Sequence, residues 1–451
     1  MTNSCRFAET ALHRFHARAR TLCLVSSWSG WSWRRWRTKR SSTEEGRVTQ
    51  TVCGSGFVVD SLCMPAHSGD EQLLRGALEL ARQGIGLASP NPYVGAVIAD
   101  AHDNVVGTGT YTYGGVKHAE VLALEAAGAK ARGATLFINL EPHAHQGRTP
   151  PCTDALIAAG IHRVVASMPD PNPKVSGKGF EKLRAAGVQV EVGQLEEQAR
   201  RLNEAFARYI RHGTPLVTLK AAMTLDGKIA PPPAARPPNT GPEGFSGSWI
   251  TGEVARTHVQ ELRHQNDALL VGIGTVLSDN PLLTDRSGRP RRRPLLRVIL
   301  DSSLRLPLES QLVQNIAAER TNDVLVFCVS ADEPKKKQLE QLGIRVENIA
   351  VGPDVRPDLH AILRRLAELE IISVMMEGGA TVNANALASN VVDKVFLYYA
   401  PKILGGSDSI AFADGAGFRH LNQAVQVKHV HLHRFGEDFA VEGYLRDPYG
   451  E

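Results

Sequence analysis

The chain has 451 residues, 43% of them hydrophobic and 22% charged, enough for two or three domains that each bury a core. No run of 18 or more apolar residues occurs, so a transmembrane helix is not expected. The formal net charge of +4 is carried by residues 1–63, which hold ten Lys and Arg against four Asp and Glu. The remainder holds 41 against 43, which gives no electrostatic case for nucleic acid.

Residues 1–63 differ in character from the rest of the chain. The stretch "SSWSGWSWRRWRTKR" sustains neither a helical nor a strand period, and a disordered or non-native extension is expected there. A targeting peptide and an anionic-surface binder are the alternatives, and Met64 is an alternative translation start. Cys5, Cys23, Cys53 and Cys63 lie in this stretch, leaving only Cys152 and Cys328 beyond it. Two distant cysteines make no disulfide framework, which suits a cytoplasmic protein.

From residue 70 the pattern becomes regular. "DEQLLRGALELARQGIG" predicts a helix capped by Asp70, with Gly84 and Gly86 as its stop. Strands are predicted in "YVGAVIAD", "ATLFINL", "RVVASM" and "VQVEVG". Helices are predicted in "HAEVLALEAAGAKA", "TDALIAAG" and "GKGFEKLRAAG", with one more near 194–212. Such alternation predicts a mostly parallel sheet covered by helices. A second unit begins at "GTPLVTLKAAMTLDGKIA", is interrupted by a Pro/Gly-rich loop at 231–247, and alternates again. Its helices are "TGEVARTHVQELRHQ", "DLHAILRRLAELE" and "ATVNANALASN". Its strands are "LLRVILD", "DVLVFCVS", "ISVMMEGG" and "KVFLYYAPKIL", with a strand and turn in "DALLVGIGTVL". "GRPRRRP" at 288–294 reads as a solvated loop.

Two short motifs carry chemistry. "HAE" (His118-Ala119-Glu120) and "PPC" (Pro150-Pro151-Cys152) each open a predicted helix. A zinc deaminase needs a His/Cys ligand set and a non-ligating Glu that moves protons, in the order H-x-E then P-C. A helix start also favours the thiolate that zinc requires. HAE alone is weak. HAE, a strand ending in "LEP" and then "PPC" on a second helix is much stronger.

The chain from about residue 70 onward resembles the bifunctional riboflavin-biosynthesis deaminase/reductase family. The resemblance rests on "PNPYVGAVI", "HAEVLAL", "LEPHAHQGRTPPCTDALIAAG" and "DPNP", then on "LKAAMTLDGKIA", "WITGEVAR", "VGIGTVLSDNPLLTDR", "EGGATVN" and "APKILGG". It implies a cytidine-deaminase-like α/β/α domain at 66–212, followed by a dihydrofolate-reductase-like α/β domain at 214–448. The implied reactions are zinc-dependent removal of the 2-amino group from a pyrimidine ribosyl phosphate, then NADPH-dependent reduction of ribosyl to ribityl. The partner is that small molecule, with no nucleic acid or membrane, and a homo-oligomer is expected.

Residue by residue, the resemblance implies Glu120 as the catalytic acid–base, with His118, His143 and Cys152 on zinc. Asn91, His145 and Arg148 would hold the deaminase substrate. Ala222, Trp249, Thr275, Asp279 and the turn Gly379, Ala380, Thr381, Val382, Asn383, Ala384 and Asn385 would line NADPH. Arg263, Leu283, Arg286 and Glu377 would line the reductase substrate, with Arg263 and Arg286 on its phosphate. Lys220 and Asp226 would shape the floor of that site, although Asp226-Gly227 alone reads as a hairpin turn.

Two departures stand out. The family has Cys where this chain has His143, which leaves open a reductase with a degenerate deaminase domain. Imidazole is nonetheless a legitimate zinc donor. The family's Ser-x-Trp is also interrupted, because residue 247 is Gly between Ser246 and Ser248. No G-x-G-x-x-G follows a strand, so "GIGT" and "EGGAT" stand as Gly-bearing turns able to approach phosphate.

Overall fold

The computed structural model describes residues 69–147, 149–232, 235, 249–352 and 355–450. The expectations for residues 1–63, for Arg148 and for Ser246, Gly247 and Ser248 lie outside these residues.

The first half runs α1 (Gly69–Arg82), β1 (Gly95–Ala99), β2 (Val105–Thr110), α2 (Ala119–Ala127), β3 (Thr135–Ile138), α3 (Cys152–Ala159), β4 (Arg163–Ala166), α4 (Lys178–Ala185), β5 (Gln189–Val192), α5 (Glu196–Leu202) and α6 (Glu204–His212). The strands form one sheet in the order β2-β1-β3-β4-β5. Strand alternation splits its apolar residues between two faces. Ala96, Ile98, Leu136 and Ile138 pack with Ala119, Ala123, Leu156 and Leu183 of α2–α4. Val97, Ala99 and Phe137 pack with Leu74 and Ala77 of α1. This is the expected α/β/α sandwich.

Several details depart from the sequence-based expectation. Only β3, β4 and β5 are parallel, because β1 runs antiparallel to both β2 and β3. Asp70 is not the cap of α1, which begins at Gly69. Its carboxylate instead takes a forked contact from Arg163 at 3.0 and 2.5 Å. The helix expected near 194–212 is two helices broken at Asn203. That buried amide is used to hold both the N–H and the carbonyl of Tyr93.

The second half runs β6 (Leu216–Thr224), β7 (Lys228–Ala230), α7 (Glu253–Gln265), β8 (Ala268–Gly272), α8 (Ile273–Asp279), β9 (Leu296–Leu300), α9 (Gln311–Glu319), β10 (Val324–Cys328), α10 (Glu333–Gln341), β11 (Arg345–Asn348), α11 (Leu359–Glu368), β12 (Ser373–Met376), α12 (Ala380–Ala388), β13 (Lys394–Ala400), β14 (Ile410–Ala411), β15 (Lys428–Phe435) and β16 (Asp438–Tyr444). Nine strands form a sheet in the order β11-β10-β9-β8-β12-β6-β13-β16-β15. The run from β11 to β13 is parallel. β16 and β15 close one edge antiparallel. The central strands read "ALLVG" and "VLVFC" and are buried at every position, as strands covered on both faces must be. "GIGT" opens α8 rather than a simple turn.

The "GRPRRRP" segment is not simply a solvated loop. Arg291, Arg292 and Arg293 are 12%, 23% and 25% exposed at their side chains. Arg291 serves the end of α7, where Asn266 is extended and no glycine closes the helix. Its guanidinium donates to the carbonyls of Arg263, His264 and Asn266 at 3.2, 3.0 and 2.6 Å. Arg292 lies over the Tyr113 ring at 3.8 Å and its N–H donates to the Gly86 carbonyl. Arg293 reaches Ser89, whose hydroxyl also donates to Asp267 at 2.7 Å. The loop therefore fastens the first sheet's 86–113 region to the second.

Candidate functional site

The first site is built where α2 and α3 begin. Gly109 on β2 lets α2 lie close, since a Cβ there would sit 2.1 Å from the Ala119 carbonyl oxygen. α2 thus starts hard against the sheet, with His118 at its cap and Glu120 in its first turn. Glu141 fixes the other wall. Its buried carboxylate accepts from the N–H groups of Asp170, Gly177 and Gly179 at 3.0, 2.9 and 2.7 Å. This ties the chain at the start of the 142–152 loop to the loop before α4. Cys152 is then presented as the first residue of α3.

His118, Glu120, His143 and Cys152 converge, their ligand atoms all within 4.8 Å of one another. The Cys152 Sγ lies 3.3 Å from His118 Nδ1. The His118 and His143 rings are 4.5 Å apart, and His145 follows 5.2 Å from His143. Asn91 Nδ2 donates to the Tyr111 hydroxyl at 2.6 Å, and the Tyr111 ring meets His118 edge-on at 5.4 Å. Thr149 Oγ1 lies 3.3 Å from His118 Nε2. Sequence reasoning misses Tyr111, Glu141 and Thr149. Only the "LEP" and "TPPC" contexts could flag the last two.

The donor set fits a zinc ion. Tetrahedral Zn–N and Zn–S bonds of the usual lengths separate their donor atoms by about 3.5 Å, close to the His118–Cys152 spacing. His143 Nδ1 is buried and has no hydrogen-bond partner in the protein. Burial, reinforced by His118 and His145, lowers the His143 imidazole to about 4 and keeps it in the neutral, ligating form. Burial also raises Glu120, against the pull of His118. Cys152 is raised by burial and then by Glu120 beside it. Two acids whose charged forms are opposed by burial are what a pocket shaped around a cation shows without that charge.

The second group lies at the carboxyl ends of the central parallel strands, where open α/β sheets take ligands. Glu377 follows β12 and accepts a fork from Arg263 of α7 at 2.9 and 3.0 Å. Lys220 of β6 stands 3.8 Å from the same carboxylate. Burial would raise Glu377, but Arg263 and Lys220 hold it down at about 2. Burial lowers the Lys220 ammonium, with Glu377 opposing. Arg263 also donates to the Thr284 carbonyl at 2.9 Å, so its fork is engaged within the protein. Leu283 is buried, whereas Arg286 is exposed.

Two uncapped helix starts sit on neighbouring strands. Gly272 precedes α8, which carries Thr275 and Asp279, and Gly379 precedes α12, which carries Ala380 to Asn385. A Cβ on Gly272 would lie 2.8 Å from Val382, so the two starts approach closely. Ala222 lies farther along β6, opposite Tyr398. Trp249 is 55% exposed, with Arg256 over its ring at 5.0 Å. Asn383 does not offer its amide outward: Nδ2 donates to the Phe412 carbonyl and the residue is fully buried. Asp226 sits in the β6–β7 turn and accepts from Thr224 and from the N–H groups of Leu404 and Gly405, anchoring the loop after β13.

Comparison with known proteins matches a family to each half of the chain. Residues 67–168 match the cytidine and deoxycytidylate deaminase zinc-binding region, and residues 215–441 match the RibD C-terminal domain. The riboflavin biosynthesis protein RibD of Actinobacillus pleuropneumoniae is 40% identical over 393 residues, covering 86% of this chain and 100% of that protein. RibD of Synechocystis is 41% identical over 376 residues, 83% and 96% of the two chains. The Acinetobacter baumannii RibD structure superposes with a TM-score of 0.70 at 35% identity, covering 83% of this chain and 98% of that one. A Thermotoga maritima structure described as a diaminohydroxyphosphoribosylaminopyrimidine deaminase and 5-amino-6-(5-phosphoribosylamino)uracil reductase does so with a TM-score of 0.68 at 37% identity, covering 83% and 98%. With a deaminase zinc-binding region before a RibD reductase region, and relatives matched across both, this chain belongs to the RibD family of riboflavin biosynthesis proteins.

Proposed function

We propose that residues 66–212 deaminate a diaminohydroxyphosphoribosylaminopyrimidine and that residues 214–448 reduce the ribosyl chain of the product to ribityl with NADPH. The observation that carries the first step is the convergence of His118, Glu120, His143 and Cys152 at two helix starts. His118, His143 and Cys152 would hold zinc. When bound, the ion supplies a Lewis acid that brings water into the reactive range at neutral pH. Glu120 accepts the proton of the attacking water and returns protons to the ring nitrogen and the departing amine, so that the water oxygen stays on the ring carbon as a carbonyl and the amino group leaves as ammonia. Asn91, His145 and Arg148 orient the pyrimidine and its phosphate.

When bound, a nicotinamide would supply the hydride by which the opened sugar carbon is reduced. The chain's own contribution is positioning. Ala222, Trp249, Thr275, Asp279 and the 379–385 turn cradle the cofactor, with the N–H groups at the start of α12 facing its phosphate. Leu283 and the Arg263–Glu377 pair form the wall of the sugar site. With the Arg263 fork held by Glu377, the substrate phosphate falls to exposed Arg286.

Among the described residues Cys152 and Cys328 are unpaired, which supports a reducing compartment such as the cytoplasm. No helix among those residues is long and apolar enough to cross a membrane. Strand β15 forms an open sheet edge with Val430 and Leu432 exposed, which supports self-association there.

One experiment tests the deaminase. The full chain, loaded with zinc, is given the diaminopyrimidine ribosyl phosphate without NADPH, and ammonia is measured. Ammonia release that is lost in Glu120→Gln, with zinc retained, is the expected result. The second reading is a one-step reductase, favoured by His143 at the family's Cys position. It would be established by a chain that binds no zinc and releases no ammonia, yet oxidises NADPH with the deaminated product.

A further inference from the structure

Apart from both sites, a cavity of about 290 Å³ opens where the chain passes from α6 to β6. Its polar lining is Arg208, His212, Thr214, His360, Arg364 and Arg446. Three guanidinium groups and two imidazoles thus line the cavity, and among the described residues the carboxylate paired with the lining arginines is Asp393. That carboxylate is already committed: Arg446 lies at 2.8 Å and Arg208 at 3.4 Å, and it also accepts from the Val217 N–H at 2.8 Å. Counting the three arginines against Asp393, the cluster keeps two positive charges in excess among the described residues. Arg364 takes part in none of the ion pairs among the described residues.

The hydrogen-bond count has the same sign. His212 Nε2 and Thr214 Oγ1 are buried with no partner in the protein. Buried polar atoms are ordinarily satisfied, and the Thr214 hydroxyl on the lining of this cationic cavity can donate to an acceptor-rich occupant. Burial and the nearby Arg208 and Arg211 lower His212, and an anion would relieve that crowding. Guanidinium forks on several sides suit a tetrahedral oxyanion better than a planar carboxylate. The volume stands at the lower limit of small-molecule pockets, about 300 Å³, which admits a phosphoryl group with a small substituent and not a dinucleotide.

We propose that this cavity is a second, non-catalytic binding site for a phosphoryl oxyanion, either inorganic phosphate or the phosphate of a small monoester. It would bridge the 212–215 connection, α11 and the segment after β16. Its occupancy depends on neither of the proposed catalytic steps.

The test is calorimetric titration of the full chain in an oxyanion-free buffer with inorganic phosphate, and separately with ribose 5-phosphate. Saturable binding is expected. It should weaken roughly tenfold or more in Arg364→Glu and in Thr214→Val, as for lost hydrogen bonds to a charged group, and persist in Arg286→Ala. Tighter binding of ribose 5-phosphate identifies a monoester as the occupant, and tighter phosphate identifies the free ion. Thr214→Val is nearly isosteric and decides the matter if Arg364→Glu misfolds. Binding unaffected by either substitution, or matched by sodium chloride at equal ionic strength, overturns the proposal.

Discussion

Arg291→Ala should loosen the end of α7 more than any surface arginine would. The side chain is 12% exposed. It donates to the carbonyls of Arg263, His264 and Asn266, to Asp285 Oδ2 at 3.0 Å and to the Arg293 carbonyl at 3.2 Å. Removing it takes away the donor it supplies to the His264 and Asn266 carbonyls, while the Arg263 carbonyl keeps the Asn266 N–H. It also takes the arginine from Asp285, whose side chain is 7% exposed, leaving it His264 at 3.1 Å and the Ser287 N–H at 2.9 Å. Breaking one side of a buried pair costs about 3–5 kcal/mol, and the five contacts share one group, so they do not add. Taking about 3 kcal/mol, local opening of α7 should become on the order of 100-fold more frequent. Hydrogen exchange on the 253–266 peptide of the full chain reads this directly and avoids assuming two-state unfolding in a two-sheet protein. Because Arg263 lies in the same turn, the KM for the reductase substrate should rise several-fold as well. Arg291→Lys keeps the charge without the fork and should recover less than half of the loss. Exchange within about threefold of the parent in Arg291→Ala would refute the capping argument.

Glu377 is held at about 2 against an ordinary 4.5. Its contribution to stability is therefore full above about pH 4.5 and lost as pH falls toward 2. Urea midpoints of the parent should fall across that window, while Glu377→Gln starts lower at pH 7 and is flatter there. Gly272→Ala places a Cβ 2.8 Å from Val382 and should raise the KM for NADPH about tenfold, on the order of the 1–3 kcal/mol that overpacking costs; an unchanged value would remove the α8–α12 approach from the cofactor site. Gly109→Ala meets backbone oxygen at 2.1 Å and should abolish ammonia release while sparing NADPH oxidation. His143→Cys should retain zinc through dialysis, and His143→Ala should lose it, as measured by metal content per chain.

The chemistry is more legible in the sequence than the architecture around it. HAE and PPC mark helix starts in any α/β chain, and the structure brings both to one point. Strand β2, "VVGTGT", escapes a periodicity reading because Gly107 and Gly109 must be small where α2 lies on them, which removes the apolar alternation that marks a strand. Strands β15 and β16 escape it for a related reason: β15 is largely exposed and carries His429, His431 and His433, so its pattern is polar. The arginines at 291–293 look solvated because composition cannot say that a helix ends nearby without a glycine. Asn203 shows the same limit. Its side chain serves Tyr93, 110 residues away, and no local window reveals that.

On the proposed zinc assignment, charge favours a histidine at position 143. A Cys there would place a second thiol beside Cys152 and Glu120, in a pocket where burial already opposes both of their charged forms. Histidine reaches the same cluster as a neutral donor, its proton affinity lowered by burial and by its imidazole neighbours, so metal need not displace a proton from it. The electrostatic load on the pocket is thereby reduced by one buried anion, while the donor count is unchanged. The cost is steric, because a ring needs more room than a sulfur. That room is present: the His143 ring lies between those of His118 and His145 at 4.5 and 5.2 Å, and its backbone carbonyl still accepts from the Thr153 N–H in the first turn of α3.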